Sequence, residues 1–575
     1  MMNKAIMLLV AFTSIGAAAP VRAQEPPHAH GEHAHRLGTV DFPNSGSPAA
    51  QEPFLRGIAL LHSFEYEDAA DAFHEAQAAD SAFALAWWME ALTNTQLLWG
   101  WDDAPAARRA LARLGLTPEA RLAQAATPRE RAYGAAVEAF YADTDVRTRA
   151  RAFADSLRAL AAREPQDMEA AAFASVALQM AGEVGAFPGD DWIAAREDAI
   201  TLAERVFQAN RDHPGAAHYL IHVYDNPDVA ARGLDVARAY ALIAPDAQHA
   251  LHMPSHIFVQ VGLWDDVVAS NERAWAATRG WAARRGESAA MLDFHAFEWL
   301  QHGYLQQGRF EAARALIDTV RAVLAGVDRA ESVNATFVEA RLMFRYAAET
   351  GRWQEPLARA AGRGSEAAAD RYAFFSLFEA YQAAVGAILQ GDTAAPAIDA
   401  FRQVIAERSS RDTSGGGRES RGYLGMLPLH VSALRACARG DRESAISLLT
   451  RAAVFERDIP PVGPPSALPT LELLGALLLE IDRPADAADA YERALLRLPN
   501  RSASLLGLAR ARAALGDEPG AAERYRQLLA NWHSADPDLP ELVEARRFLT
   551  SLPAKAAALR TPCVATAGLE AANER

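Results

Sequence analysis

At 575 residues the chain is several times longer than one ordinary hydrophobic core can organise, so a single small domain is excluded. Half of the residues are hydrophobic, and Ala, Leu and Arg outweigh Val and Ile, which favours helices and excludes an all-β fold or long disorder. A net charge of -16 makes nucleic acid a poor partner.

Residues 1–23 read as a cleavable secretory signal: Lys4 precedes an apolar run from Ala5 to Ala19, and Val21-Arg22-Ala23 closes the segment. The run is too short to cross a bilayer, and no later stretch approaches twenty uncharged apolar residues, so no membrane span is expected. The expectation is an exported protein, periplasmic or secreted. Loss of Lys4 and Arg22 takes the mature charge to about -18. Residues 24–52 contain a tract with His28, His30, His33 and His35 and no apolar periodicity, which predicts a flexible segment able at most to capture a metal ion loosely. Folded structure is expected from Pro53.

From there Gly57, Leu60, Ala69, Phe73 and Ala76 open a 34-residue period that is clearest near the C-terminus. Leu471, Leu474, Gly475, Leu478, Ala487, Tyr491, Ala494 and Pro499 occupy every diagnostic place of the tetratricopeptide repeat, and Ala521 and Tyr525 echo Ala487 and Tyr491 at an offset of 34. Such units are helix pairs that bury their apolar faces only by stacking, which predicts an all-α, right-handed superhelix with a concave inner wall. Gly262, Gly308, Gly351, Gly391 and Gly440 mark the turns within successive pairs. The predicted main array covers 53–458, a Pro-rich connector 459–470, a C-terminal repeat pair 471–550 and a tail 551–575. Residues 104–163 and the Gly- and Ser-rich stretch around 408–422 fit the repeat poorly. Trp87, Trp88, Trp99, Trp101 and His62 are assigned to core packing. Cys437 and Cys563 permit one disulfide and exclude a four-thiolate zinc site.

Eight of the sixteen histidines lie between His213 and His302. Aligned on the repeat, Gly215, His218 and His222 fall at the same three first-helix positions as His249, His252 and His256 in the next unit and as His295, Glu298 and His302 in the one after. Spacings of three and four put such residues on one side of a helix. Neighbouring helices pack about 8–10 Å apart, so rings from adjacent units can meet at one ion. Imidazole with carboxylate suits zinc or copper first, and iron or manganese also, whereas calcium or magnesium would want oxygen donors. The predicted ligands are His218, His222, His249, His252, His256, His295, Glu298 and His302, enough for one or two ions. Asp225 and Gln260, one turn beyond His222 and His256, are candidates for orienting rings or binding ligand, and His213 is a weaker candidate. Arg341 and Arg345 continue the same line in the next unit, where they can hold a carboxylate or phosphate. His430 and Cys437 stand alone. Pro254 either interrupts the His252–His256 helix or starts a new one.

No known hydrolase signature is present: the segment from His218 to His222 has no glutamate after its first histidine, and phosphate-binding loops and nucleophile elbows are missing. The chain resembles a broad group of exported bacterial tetratricopeptide-repeat proteins through Gly38-Thr39-Val40-Asp41-Phe42-Pro43, Leu60-Leu61-His62-Ser63-Phe64, the segment from Asp212 to His222 and His252-Met253-Pro254-Ser255-His256-Ile257. The resemblance implies fold and export. The functional expectation is a metal-binding groove that also takes a peptide or small anionic ligand, with Glu298 as the proton-transfer group if the centre is catalytic. The alternative is a metal-free scaffold for a protein or peptide partner in the cell envelope.

Overall fold

Short helices joined by tight turns follow one another through almost the whole chain, and most pack against their neighbours in sequence. The computed structural model describes residues 36–327, 333–353, 366–411, 418–459 and 463–552. These residues form an all-α solenoid of stacked helix pairs of the tetratricopeptide type. Its described strands are a two-residue antiparallel pair in which Thr95 faces Asp102 and Gln96 faces Trp101.

The repeat pattern has a direct steric cause. In the first pair, helix Pro48–His62 crosses helix Tyr66–Ala79 so closely that a Cβ on Gly57 would lie 2.6 Å from the Phe73 ring. The same contact recurs between Gly475 and Tyr491 in the C-terminal pair, at 2.8 Å. The turn glycines predicted at 262, 308, 351, 391 and 440 all have positive φ, as a helix-ending left-handed residue requires. The poorly fitting 104–163 stretch is helical as well, in pieces of uneven length: Ala104–Leu114, Pro118–Leu122, Pro128–Phe140 and Val146–Arg163.

Two expectations about organisation need correction. Order begins before Pro53: Leu37 and Phe42 are buried, Phe42 packs on Phe54 and Tyr133, and Thr39 N–H donates to the Asp212 carbonyl at 2.8 Å. This strap joins the core, with Phe42 on Phe54, Tyr133 and Phe173, and of the predicted flexible 24–52 segment only 24–35, with its histidines, lies outside the described residues. The C-terminal pair is likewise not set apart by the connector. Trp264 Nε1 donates to the Asn500 carbonyl at 2.9 Å, Asn500 Nδ2 to the Gly262 carbonyl at 2.8 Å, and Leu505, Tyr525 and Trp532 share a core with Phe310 and Ile317. Connector residues 460–462, tail residues 553–575 with Cys563, and 412–417 of the Gly-rich stretch lie outside the described residues.

Candidate metal centre

Three successive units bring the central histidines together. His218 and His222 stand on helix Pro214–Tyr224, whose first turn is capped by His213: its Nδ1 accepts Ala216 N–H at 3.1 Å while Pro214 fills the first helical position. His249 and His252 stand on Gln248–His252, His256 on Pro254–Val261, and His295 on Phe294–Gln306, capped by Asp293. Met253, with φ -53° and ψ -37°, carries the chain helically across the proline. Both readings of Pro254 therefore hold in part: it starts a new helix and preserves the one-turn spacing of His252 and His256.

Two groups of donors result. In the first, one ring nitrogen from each of His218, His222 and His249 lies within 4.8 Å of the others; in the second the same holds for His252, His256 and His295. His218 Nε2 is 3.1 Å from His222 Nε2, and His252 Nε2 is 3.2 Å from His256 Nε2. Two nitrogens bound at about 2.0–2.1 Å to a tetrahedral ion lie roughly 3.3 Å apart, so both pairs already have the spacing of a chelate.

The far side of each ring decides where its proton sits. His218 Nδ1 donates to the His62 carbonyl at 2.7 Å. His252 Nδ1 is 2.7 Å from Asn271 Oδ1, whose amide orientation is fixed because its Nδ2 donates to the Val267 carbonyl at 2.7 Å. His256 Nδ1 is 2.7 Å from Asp225 Oδ2, and Gln260 Nε2 donates to Asp225 Oδ1 at 2.7 Å. With Asp225 ionised, His252 and His256 both keep their proton on Nδ1, and two bare Nε2 lone pairs face each other. That contact is repulsive unless a cation lies between them. This pattern, with Nδ1–H held by a carboxylate, amide or backbone carbonyl, is the one that orients metal-binding imidazoles. The first pair differs, since a proton on His222 Nε2 can satisfy it. In the first group His249 Nε2 is buried without a hydrogen-bond partner.

Burial holds the His218, His249 and His256 rings well below their ordinary pKa, with neighbouring histidines adding to the effect, and pushes His222 down to about 3. These nitrogens are neutral and available as donors at neutral pH. Aromatic side chains surround them: Phe64 contacts His218 with ring centres 4.3 Å apart, Trp99 contacts His249 at 5.1 Å, and Trp299 contacts His256 at 4.3 Å. Burial pushes Asp225 up to about 7, against the hydrogen bond from Gln260 and the nearby His222 and His252. Below that pH a proton on Asp225 lets His256 turn its own proton toward His252, and an ion placed between the rings would have to expel it. Apparent affinity is therefore expected to fall as pH drops below about 7, with proton release that rises from pH 8 to pH 6 in calorimetric titrations using buffers of different ionisation enthalpy. Asp225→Asn should weaken binding by about 10–100-fold, the usual loss when such a partner is removed, and flatten the pH dependence.

The other predicted site residues divide. His302 joins neither group: seven residues beyond His295 on a helix is a rise of about 10 Å, and its Nδ1 lies 3.4 Å from Arg345 Nη1. Glu298 is drawn into an ion pair with Arg341 instead of ligating beside His295. Burial raises its pKa against the pull of Arg341 and Arg345. Asp225 and Gln260 stand behind His256, not at a ligand position. Arg345 donates to the Pro465 carbonyl at 2.9 Å, which brings the connector to the site. Arg341, Arg345 and Glu298 border a cavity of about 330 Å³ whose other walls include His256, His295, Trp299, Phe344, Tyr381 and Tyr423. His295 is exposed at its edge. His430 is isolated as expected, bonded to Tyr381 and Thr470, and Cys437 is a free, half-buried thiol.

One buried cluster escaped the reading of the sequence. Glu169 meets His62 Nε2 at 2.8 Å and His213 Nε2 at 3.1 Å, and Tyr219 donates to His62 Nδ1 at 2.7 Å. Burial acts to raise the Glu169 pKa, but the His213 and His62 rings outweigh it and hold the carboxyl well below its usual range. With His213 Nδ1 occupied as the helix cap, this third group of donors is satisfied by hydrogen bonds alone. Its role is to fix His62, whose carbonyl orients His218. A Cβ on Gly215 would lie 2.5 Å from His62 Nδ1, so the glycine of the His213-Pro214-Gly215 segment was a sign of that close approach.

No protein-family model and no curated protein matches the sequence. Among solved structures the chain is similar to the human IFIT1 dimer with m7Gppp-AAAA (13% identity, TM-score 0.33, covering 79% of this chain and 90% of that one). It is also similar to the APC/C hetero-tetramer Cut9-Hcn1 (11%, 0.29, 87% and 90%) and to the TPR domain of P58(IPK) (12%, 0.18, 87% and 98%). Identities and TM-scores at this level say nothing of function.

Proposed function

We propose that this protein is an exported helical-repeat scaffold that holds two transition-metal ions, zinc or copper, one on His218, His222 and His249 and the other on His252, His256 and His295. The observation that carries the reading is the 3.2 Å contact between His252 Nε2 and His256 Nε2, with Asn271 Oδ1 and Asp225 Oδ2 each 2.7 Å from the Nδ1 behind its ring. Three donors per ion leave a coordination position open. The cavity beside the second group suits a small organic anion with an apolar body: aromatic walls receive the body, and Arg341 and Arg345 receive a carboxylate at the metal-facing end.

Elemental analysis of protein purified without an affinity tag tests the reading. Two equivalents of zinc or copper per chain are expected, and clean apo protein that rebinds no ion would leave a metal-free scaffold for a protein or peptide partner. Export predicts that the mature protein recovered from the native envelope or medium begins at Gln24. Intact Met1 on that material would contradict the secretory reading of residues 1–23.

A further inference from the structure

The two groups are not separate sites. Within a group, ring centres lie 4.8 Å apart for His218 and His222, 4.9 Å for His218 and His249, 4.7 Å for His252 and His295 and 5.1 Å for His252 and His256. Between groups, His222 and His256 are 6.0 Å apart and His249 and His252 are 5.9 Å apart. Rings serving different ions are thus only about 1 Å farther apart than rings sharing one, a spacing that suits two ions bridged by a common ligand, roughly 3.5–4 Å from each other.

The donor set also constrains the charge of the ions. All six donors are neutral imidazoles, and the carboxylates around them are held elsewhere: Asp225 behind His256, Glu65 and Asp293 on the backbone N–H groups of His249 and His295, and Glu298 on Arg341. The surroundings are aromatic, with Phe64, Trp99 and Trp299 against the rings. The cost of placing an ion in such a medium grows with the square of its charge, and two divalent ions this close would also repel strongly. Monovalent ions avoid most of both penalties. Among metals suited to imidazole, copper offers that charge state.

We infer that the six histidines hold a pair of copper(I) ions that binds dioxygen between them. The step balances without a further reactant. Each copper(I) gives up one electron, dioxygen accepts the two and becomes a bridging peroxide, two metal–oxygen contacts form to each copper, and no proton moves. Release of dioxygen returns both electrons. The open position on each ion takes the first of its two contacts, and copper(II), which favours a tetragonal shell, accepts the second by expanding to five-coordination, while Phe64, Trp99 and Trp299 give the rings an apolar surround.

This inference rests on the two-ion reading above, and one experiment separates their failures. Apo protein is loaded with copper(I) under argon, copper is counted, and the sample is then exposed to dioxygen while absorption, oxygen uptake and electron paramagnetic resonance are recorded. The expected result is two copper ions per chain, one dioxygen taken up per pair, an intense near-ultraviolet charge-transfer band that fades under argon, and no paramagnetic copper(II) signal because the two spins couple. His295→Ala, at an exposed ring, and His249→Ala, whose Nε2 has no partner, should each retain one copper and lose the band and the uptake. Two bound coppers that give no band, or that oxidise to isolated paramagnetic copper(II), would overturn the dioxygen proposal and leave the two-ion reading standing. Failure to bind copper at all would overturn the dioxygen proposal, and failure of the same apo protein to bind zinc as well would overturn the two-ion reading.

Discussion

Replacing His252 and His256 together with alanine is expected to lower the metal content from the proposed two ions per chain to one. The second group is then left with His295 alone. The drop in affinity there should exceed the roughly 100-fold at the upper end for losing a partner behind a ligand, because the chelating pair itself is gone. The ion on His218, His222 and His249 should remain, which makes the variant its own control: a misfolded solenoid would lose both. Metal analysis after dialysis against a weak chelator reads the difference directly. Two ions retained would mean that the pair is not a chelate.

Arg501→Ala is expected to destabilise the fold by about 3–5 kcal/mol, the cost of stranding buried charge when one partner of a buried ion pair is removed. Arg501 is 2% exposed and meets Glu349 at 2.9 Å and Glu472 at 2.7 Å. It joins the C-terminal repeats to helix Val333–Thr350, the helix that carries Arg341 and Arg345. Its loss leaves two carboxylates facing each other in the interior. Urea unfolding should show a lower midpoint, and the exposed pair Arg493–Asp489 provides the comparison, where Arg493→Ala should leave the midpoint unmoved. Equal effects at the two positions would contradict the fold-back of the C-terminal pair.

The parts of this structure that could be read from the chain are those set by local spacing. A small residue facing an aromatic one, as Gly475 faces Tyr491, recurs because two helices must touch there, and that recurrence gives the repeat. Histidines three and four residues apart share a helix face, so the gathering of His218, His222, His249, His252, His256 and His295 follows from register. What register omits is distance along the helix axis. His302 occupies an equivalent slot yet lies two turns from His295, beside Arg345, and Glu298 answers to the nearer charge of Arg341.

The remaining determinants come from distant segments and leave no periodic trace. Asn271, which fixes the tautomer of His252, stands on the second helix of its own unit. His62, whose carbonyl fixes His218, lies 156 residues away and is itself held by Glu169. The fold-back that joins Trp264 to Asn500 spans 236 residues, and nothing in either repeat announces it. Composition misleads at the N-terminus: the segment holding Leu37, Val40 and Phe42 falls within a tract without apolar periodicity, yet Leu37 and Phe42 are buried in the core and Val40 packs against it.

Anomalous diffraction from crystals of the untagged protein, collected on both sides of the copper and zinc absorption edges, addresses the central claim most directly. The account predicts two peaks per chain, one bounded by the Nε2 atoms of His252 and His256 together with His295, the other by His218, His222 and His249. Crystals soaked in either metal that show no peak between His252 and His256, with those two rings still in contact, would contradict it.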